Sequence, residues 1–127
     1  MSEILLSIKP EYVERILQKK KTYEFRKRLP ACNVDVIHIY CTYPVMKVVA
    51  KVRVTGVLKA SPTSLWEKTK HCAGISRSNY RQYFRGCKIA YAFSLGELTV
   101  FDSPKDINEY GLSAPPQSFV YVARESV

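Results

Sequence analysis

The sequence is short of acid. Eleven Asp and Glu stand against 20 Lys and Arg in 127 residues, for a formal net charge of +9. No carboxylate occurs between Glu67 and Glu97. A pI near 9.5 favours anionic partners: RNA, DNA, nucleotides or acidic lipid. Long apolar runs are also missing. None approaches the roughly 20 residues that span a bilayer, so no membrane partner is expected. Met1-Ser2-Glu3-Ile4 lacks the basic-then-apolar pattern of a secretory leader. The four cysteines, Cys32, Cys41, Cys72 and Cys87, form no Cys-x-x-Cys pair. They read as reduced thiols of a cytoplasmic protein. A zinc site from His71, Cys72 and Cys87 would need adjacent ligands and has no second pair, so neither metal nor cofactor is expected. Repeats, low-complexity tracts and flexible linkers are absent. With 46% hydrophobic and 24% charged residues, residues 1–127 read as one globular domain.

The positive charge is gathered into two runs. From Arg15 to Arg28 there are seven basic residues and one acid, Glu24, which accounts for +6. From Lys68 to Lys88 there are six basic residues and no acid. The stretch 97–127 carries two basic and five acidic residues, so one side of the molecule is expected to be positive and another mildly negative. Such runs are either solvated faces that favour solubility or surfaces that track phosphates.

Periodicity divides the first run. Ile4 to Ile8 reads as a buried strand. Pro10 opens a helix whose buried stripe is Tyr12, Val13, Ile16 and Leu17. Lys19, Lys20 and Lys21 then sit at the negative end of the helix dipole, where cations are favoured. Thr22 to Arg28 alternates as a strand, with Thr22, Glu24, Arg26 and Arg28 on one face. That face is continuous with Lys21, so Lys21, Glu24 and Arg26 are expected to converge.

Further strands are expected over Val34–Cys41, Lys47–Leu58, Lys88–Leu95, Leu98–Phe101 and Ser118–Val122. Gly56 marks a bulge or a close backbone approach, and Gly96 a turn. Ser61 and Ser76 are helix caps. Tyr80, Tyr83 and Phe84 line the buried side of the helix after Ser76, and Gly86 ends it. Arg77, Arg81 and Arg85 are spaced by four, on one exposed helical face. Five or six strands with two or three short helices give an α+β domain, expected to be a small mixed β-barrel.

Leu6-Ser7-Ile8-Lys9-Pro10, followed by Lys21-Thr22-Tyr23-Glu24-Phe25-Arg26, resembles the ASCH domain family of the PUA-like superfamily. The family hallmark is G-x-K-x-x-E-x-R at this helix-to-strand junction. Lys21, Glu24 and Arg26 match it, but Lys19 stands at the glycine position. Loss of that glycine predicts a helix that ends differently or runs further. Gly74-Ile75-Ser76, Tyr83-Phe84-Arg85-Gly86, Ala90-Tyr91-Ala92 and Pro115-Pro116-Gln117-Ser118-Phe119 are also similar to family members. The resemblance implies a PUA-like barrel with a cleft lined by the motif and a role in RNA binding.

The residues suit that role. Arg26 can donate two bonds to a phosphate or base edge, Glu24 can accept from an exocyclic amine, and Lys21 can neutralise phosphate. Lys9 and Tyr40 complete the expected ligand set. Tyr23, Tyr40 and Tyr43 are candidates for a stacking face. Lys19, Lys20, Lys27, Arg28, Arg77, Arg81 and Arg85 are the candidate backbone contacts. The plain alternative is a structural salt bridge between Glu24 and Arg26 or Lys21.

An enzymatic reading has less support in the sequence. Some small ASCH members hydrolyse acylated cytidine such as N4-acetylcytidine. There the resemblance implies a threonine nucleophile three residues after the motif lysine and a partner carboxylate before the second helix. Glu24 occupies the first position here, and Lys70-His71-Cys72-Ala73-Gly74 has no carboxylate. Thr22 lies at the wrong spacing. A nuclease would need a general base, for which His38 and His71 are the two histidines. His38 reads as a packed strand residue and His71 as part of a basic loop.

Overall fold

The computed structural model describes residues 2–123; Arg124 and Glu125, counted above in the acidic stretch, lie outside them. Six strands and three α-helices follow one another as β1 (Ser2–Ile8), α1 (Pro10–Leu17), β2 (Tyr23–Arg26), β3 (Val34–Cys41), β4 (Lys47–Ala60), α2 (Pro62–Thr69), α3 (Arg77–Tyr83), β5 (Ala90–Lys105) and β6 (Phe119–Val122). The strands form one mixed sheet in the order β2-β5-β4-β3-β1-β6. Only β1 and β3 pair in parallel, with α1 and β2 between them in sequence. This is the expected α+β architecture.

The expected barrel does not close through its backbone. Among the described residues β2 and β6 remain the ends of the sheet. Each is only four residues long, too short to supply a full seam. A side chain crosses the gap instead. Arg26 of β2 donates from Nη2 to the Ser7 carbonyl of β1 at 3.1 Å and from Nη1 to Ser118 Oγ, just before β6, at 3.3 Å.

Alternation along the strands sorts the core. Ile4, Leu6 and Ile8 of β1 and Ile37, Ile39 and Cys41 of β3 pack with Val13 and Ile16 of α1. The opposite faces place Leu5, Tyr40 and Val48 in a separate cluster. A third cluster gathers Phe25, Leu65, Tyr80 and Phe84 under α2 and α3. Two helix starts follow their sequence signals. Ser61 Oγ accepts from the Ser64 amide, and Ser76 Oγ from the Asn79 amide, each satisfying a donor that the helix leaves unpaired.

Three expectations are overturned. Helix α3 ends at Tyr83, before Gly86, so Arg85 lies beyond the helical face of Arg77 and Arg81. β5 runs unbroken for 16 residues through Gly96. A Cβ at Gly96 would lie 2.5 Å from Thr55 Cγ2, so this glycine permits close strand approach and is not a turn. The first helix neither ends differently nor runs further. Lys19 takes φ 61°. The Lys19 amide donates to Ile16 O and the Lys20 amide to Arg15 O, both at 2.9 Å. These are the paired bonds of a Schellman cap, formed with lysine in the left-handed position at a cost of about 1 kcal/mol relative to glycine. The bulge expected near Gly56 is present, since the β4–β5 register shifts between Val54 and Gly56.

Candidate functional site: a cleft at the open seam of the sheet

An open cleft of about 460 Å³ lies where the sheet fails to close, bounded by the end of β1, α1, β2 and α3. Lys9, Lys21, Glu24 and Arg26 line it, as expected from the sequence. Lys9 enters because it is the cap residue of α1, immediately after β1. Glu24 and Arg26 share a face of β2. Lys21 precedes that strand and reaches the cleft between two rings, 4.8 Å from the Phe25 centroid and 5.4 Å from the Tyr12 centroid.

The cleft and the salt bridge coexist. Arg26 donates to Glu24 Oε2 from Nε at 3.0 Å and from Nη2 at 2.7 Å. With its bonds to Ser7 and Ser118, this guanidinium is fixed in place. Glu24 is buried, and both of its bonds from Arg26 fall on the same oxygen.

Lys21 is the least stabilised charge of the three. Its residue is only 3% exposed, and its Nζ makes one hydrogen bond, to Ala73 O at 2.8 Å. Burial drives its pKa down from 10.5 to about 8. The Glu24 carboxylate opposes the shift, and the Arg15 and Arg26 cations add to it. The aliphatic stem is enclosed by Gly74, where a Cβ would lie 2.3 Å from Lys21 Cβ; Gly74 has φ +64°. Arg15 secures the same loop by donating to Gly74 O at 3.0 Å. The loop thus needs glycine for both its conformation and its contact with Lys21.

Other expected residues lie elsewhere. Tyr40 is buried among Leu5 and Val48, on the face of β3 that it shares with His38 and away from the cleft. Strand parity decides this and removes Tyr40 from the ligand set. Tyr43 is exposed in the turn after β3 and is not part of the cleft lining. The tyrosines that line the cleft are Tyr12 and Tyr83, together with Asn79, Gln82 and Ser7 as polar lining. Burial raises the pKa of both tyrosines, so both stay neutral at ordinary pH. Their signal in the sequence was helical spacing, which read as core alone. Asn79 and Gln82 carried no signal.

Neither histidine faces the cleft. His38 is buried, with Nε2 2.7 Å from Glu3 Oε1 and Nδ1 3.0 Å from the Tyr110 hydroxyl. His71 meets the Tyr23 ring edge-on at 5.8 Å and is exposed. Thr22 is likewise absent from the cleft lining. Among the described residues no group of three His, Cys, Asp or Glu is placed to hold a metal. Lys19, Lys20, Lys27, Arg28, Arg77, Arg81 and Arg85 are exposed. Of these, Lys27 lies over the Tyr83 ring at 4.9 Å, at the border of the cleft.

A family model described as the ASCH domain matches residues 6–101. The chain belongs to the ASCH domain family. Among curated ASCH relatives, an "ASCH domain-containing ribonuclease" of Zymomonas mobilis is 32% identical over 129 residues, covering 97% of this chain and 86% of that protein. The crystal structure of ASCH from Zymomonas mobilis aligns with TM-score 0.87 at 30% identity, over 97% of this chain and 89% of that one. A tyrosine-to-phenylalanine mutant of the same protein aligns with TM-score 0.88 at 29% identity, over 98% and 92%. The ASCH motif and the open seam therefore occur here together, with lysine replacing the motif glycine. Among the described residues no helix is long and apolar enough to cross a membrane.

Proposed function

We propose that this ASCH chain binds RNA and holds one nucleotide in the seam cleft. The carrying observation is the convergence of Lys21, Glu24 and Arg26 on an open cleft of about 460 Å³. The Arg26–Glu24 pair is a rigid wall. Glu24 has a second oxygen to offer an exocyclic amine, and Lys21 has two further N–H groups for a phosphate. Tyr12 and Tyr83 offer ring surface. Lys19, Lys20, Lys27 and Arg28 hold the flanking backbone, and Arg77, Arg81 and Arg85 extend the same positive surface. The ribonuclease name of the Zymomonas relative supports RNA over DNA or a free nucleotide.

Affinity for mixed RNA should fall steeply with salt, since each phosphate contact releases counterions. Weak binding that is flat from low to moderate salt defeats the proposal. Glu24→Ala should change base preference, whereas Lys27→Ala should lower affinity for all sequences alike. Identical effects from the two would mean that the cleft reads nothing.

Cleavage of the bound RNA is the second reading, favoured by the lowered pKa of Lys21. The ribose 2′-hydroxyl attacks the adjacent phosphorus and gives its proton to Glu24. An O2′–P bond forms as the P–O5′ bond breaks, and Lys21 protonates the departing 5′-oxygen. Arg26 faces the charge on the phosphate. The products are a 2′,3′-cyclic phosphate and a 5′-hydroxyl end. A group with a pKa of about 8 suits proton donation near neutral pH. Labelled RNA incubated with wild type, Lys21→Met and Glu24→Gln provides the test. Cleavage that survives both substitutions places the activity outside this cleft.

A further inference from the structure

Helix α3 is a wall between two clefts. Asn79, Gln82 and Tyr83 face the seam cleft. Its other side, with Arg77, Tyr80, Arg81 and Phe84, faces a second cleft of about 390 Å³ whose far wall includes Trp66 of α2. The spacing follows from the helix, in which positions three and four apart share a face. The partition is thin. Phe25 lines the first cleft and Tyr80 the second, and their rings meet edge-on with centroids 5.0 Å apart. Trp66 packs against Tyr80 at 4.8 Å between centroids.

The second cleft has a distinct chemistry. Two exposed arginines, Arg77 and Arg81, flank the part-exposed Trp66 ring, which rests on the buried Tyr80 and Phe84, and no carboxylate lines the cleft. Glu67 lies near enough to Arg77 to feel its charge, but it is held first by Lys70 at 2.7 Å. A part-exposed indole bordered by arginines, without acids, complements a stacked base on a phosphate backbone. An acidic peptide would match the arginines but leave the Trp66 ring unused.

We infer that the second cleft is a subsite for single-stranded RNA, taking the nucleotides that flank the one in the seam cleft. The strand crosses the exposed edge of α3. A base stacks at Trp66, and Arg77 and Arg81 hold adjacent phosphates. This assignment rests on the RNA reading of the seam cleft and adds a length requirement, in that a mononucleotide fills one cleft and an oligonucleotide fills both.

The chain has one tryptophan, and it lines the second cleft, so its fluorescence is the direct probe of that cleft. Anisotropy of a labelled single-stranded oligoribonucleotide reports total binding. The expected result is that the oligonucleotide quenches Trp66 and a mononucleotide does not. The double variant Arg77→Gln/Arg81→Gln should reduce the gain in affinity from mononucleotide to oligonucleotide by about tenfold. It should also flatten the slope of log affinity against log salt by about 1.4. Trp66→Phe keeps a ring in the aromatic packing and should weaken oligonucleotide binding less than the double variant does. If the labelled RNA binds while Trp66 is silent and the double variant matches wild type, the second subsite is wrong and the seam cleft stands. If the labelled RNA does not bind, both fail. If polyglutamate quenches Trp66 as strongly as RNA, the cleft belongs to a protein partner.

Discussion

Two polar clusters lie on either side of the same strand arrangement, and they are built in opposite ways. The Glu3–His38–Tyr110 cluster is closed. Both ring nitrogens of His38 have partners, at 2.7 and 3.0 Å, and the imidazole is 1% exposed. The Lys21–Glu24–Arg26 cluster comes from one short stretch of chain and opens onto a cleft. A polar group buried without a partner is destabilising by about 1–3 kcal/mol, so closed clusters are structural. The open cluster tolerates a lysine whose charge is disfavoured by burial, and a bound phosphate would supply the missing compensation. Among the described residues every buried side-chain nitrogen or oxygen has a hydrogen-bond partner. The distinction therefore lies in remaining donor capacity.

The sharpest way to break this comparison is Glu3→Ala, which leaves one nitrogen of His38 buried without its partner. Its expected effect is a loss of about 3 kcal/mol in denaturant unfolding. RNA affinity of the protein that remains folded should not change. A change in base preference would show that the closed cluster communicates with the cleft.

Gly74→Ala is next, at about 2–3 kcal/mol, because the new methyl overlaps the Lys21 stem at a positive-φ position. Unlike Glu3→Ala, it should also weaken RNA binding, by displacing Lys21. Stability loss with unaltered affinity would separate the loop from the site.

Lys21→Met should lower nucleotide affinity at least about tenfold, the scale of one charged hydrogen bond. Its stability should match or exceed wild type at pH 7. The sign follows from the proton count. Lys21 has a pKa of about 8 when folded against 10.5 as a model value. Between those values the unfolded chain holds the extra proton, so wild-type stability rises with pH. The advantage of Lys21→Met should therefore shrink from pH 8 to pH 10 in thermal unfolding. A constant difference across that window would place the burial cost elsewhere.

Lys19→Gly has the smallest expected effect, a gain of about 1 kcal/mol as the left-handed position loses its Cβ strain. It also removes an exposed cation, so RNA affinity should fall slightly at low salt. No gain in melting temperature would mean that the lysine is held by contacts other than the cap.

Much of the fold was legible because short-range signals were unambiguous. Pro10, Ser61 and Ser76 mark helix starts, and alternation marks β3 and most of β4. The motif face Lys21–Glu24–Arg26 was legible for the same reason. Gly96 reads as a turn because a glycine needed for strand contact and one needed for a turn look alike in sequence. Tyr40 reads as a cleft residue because proximity along the chain does not reveal which face of a strand meets which cluster.

The sequence by itself determined the local periods, the caps, the family motif and the two concentrations of positive charge, since each depends on residues a few positions apart. Tertiary structure decided three other matters. The sheet stays open and is bridged by Arg26. Lys21 is buried against Gly74, 53 positions away in the chain. Helix α3 divides the basic surface into two clefts. Each depends on long-range packing, in which burial and the approach of distant backbone set the geometry and the charge state.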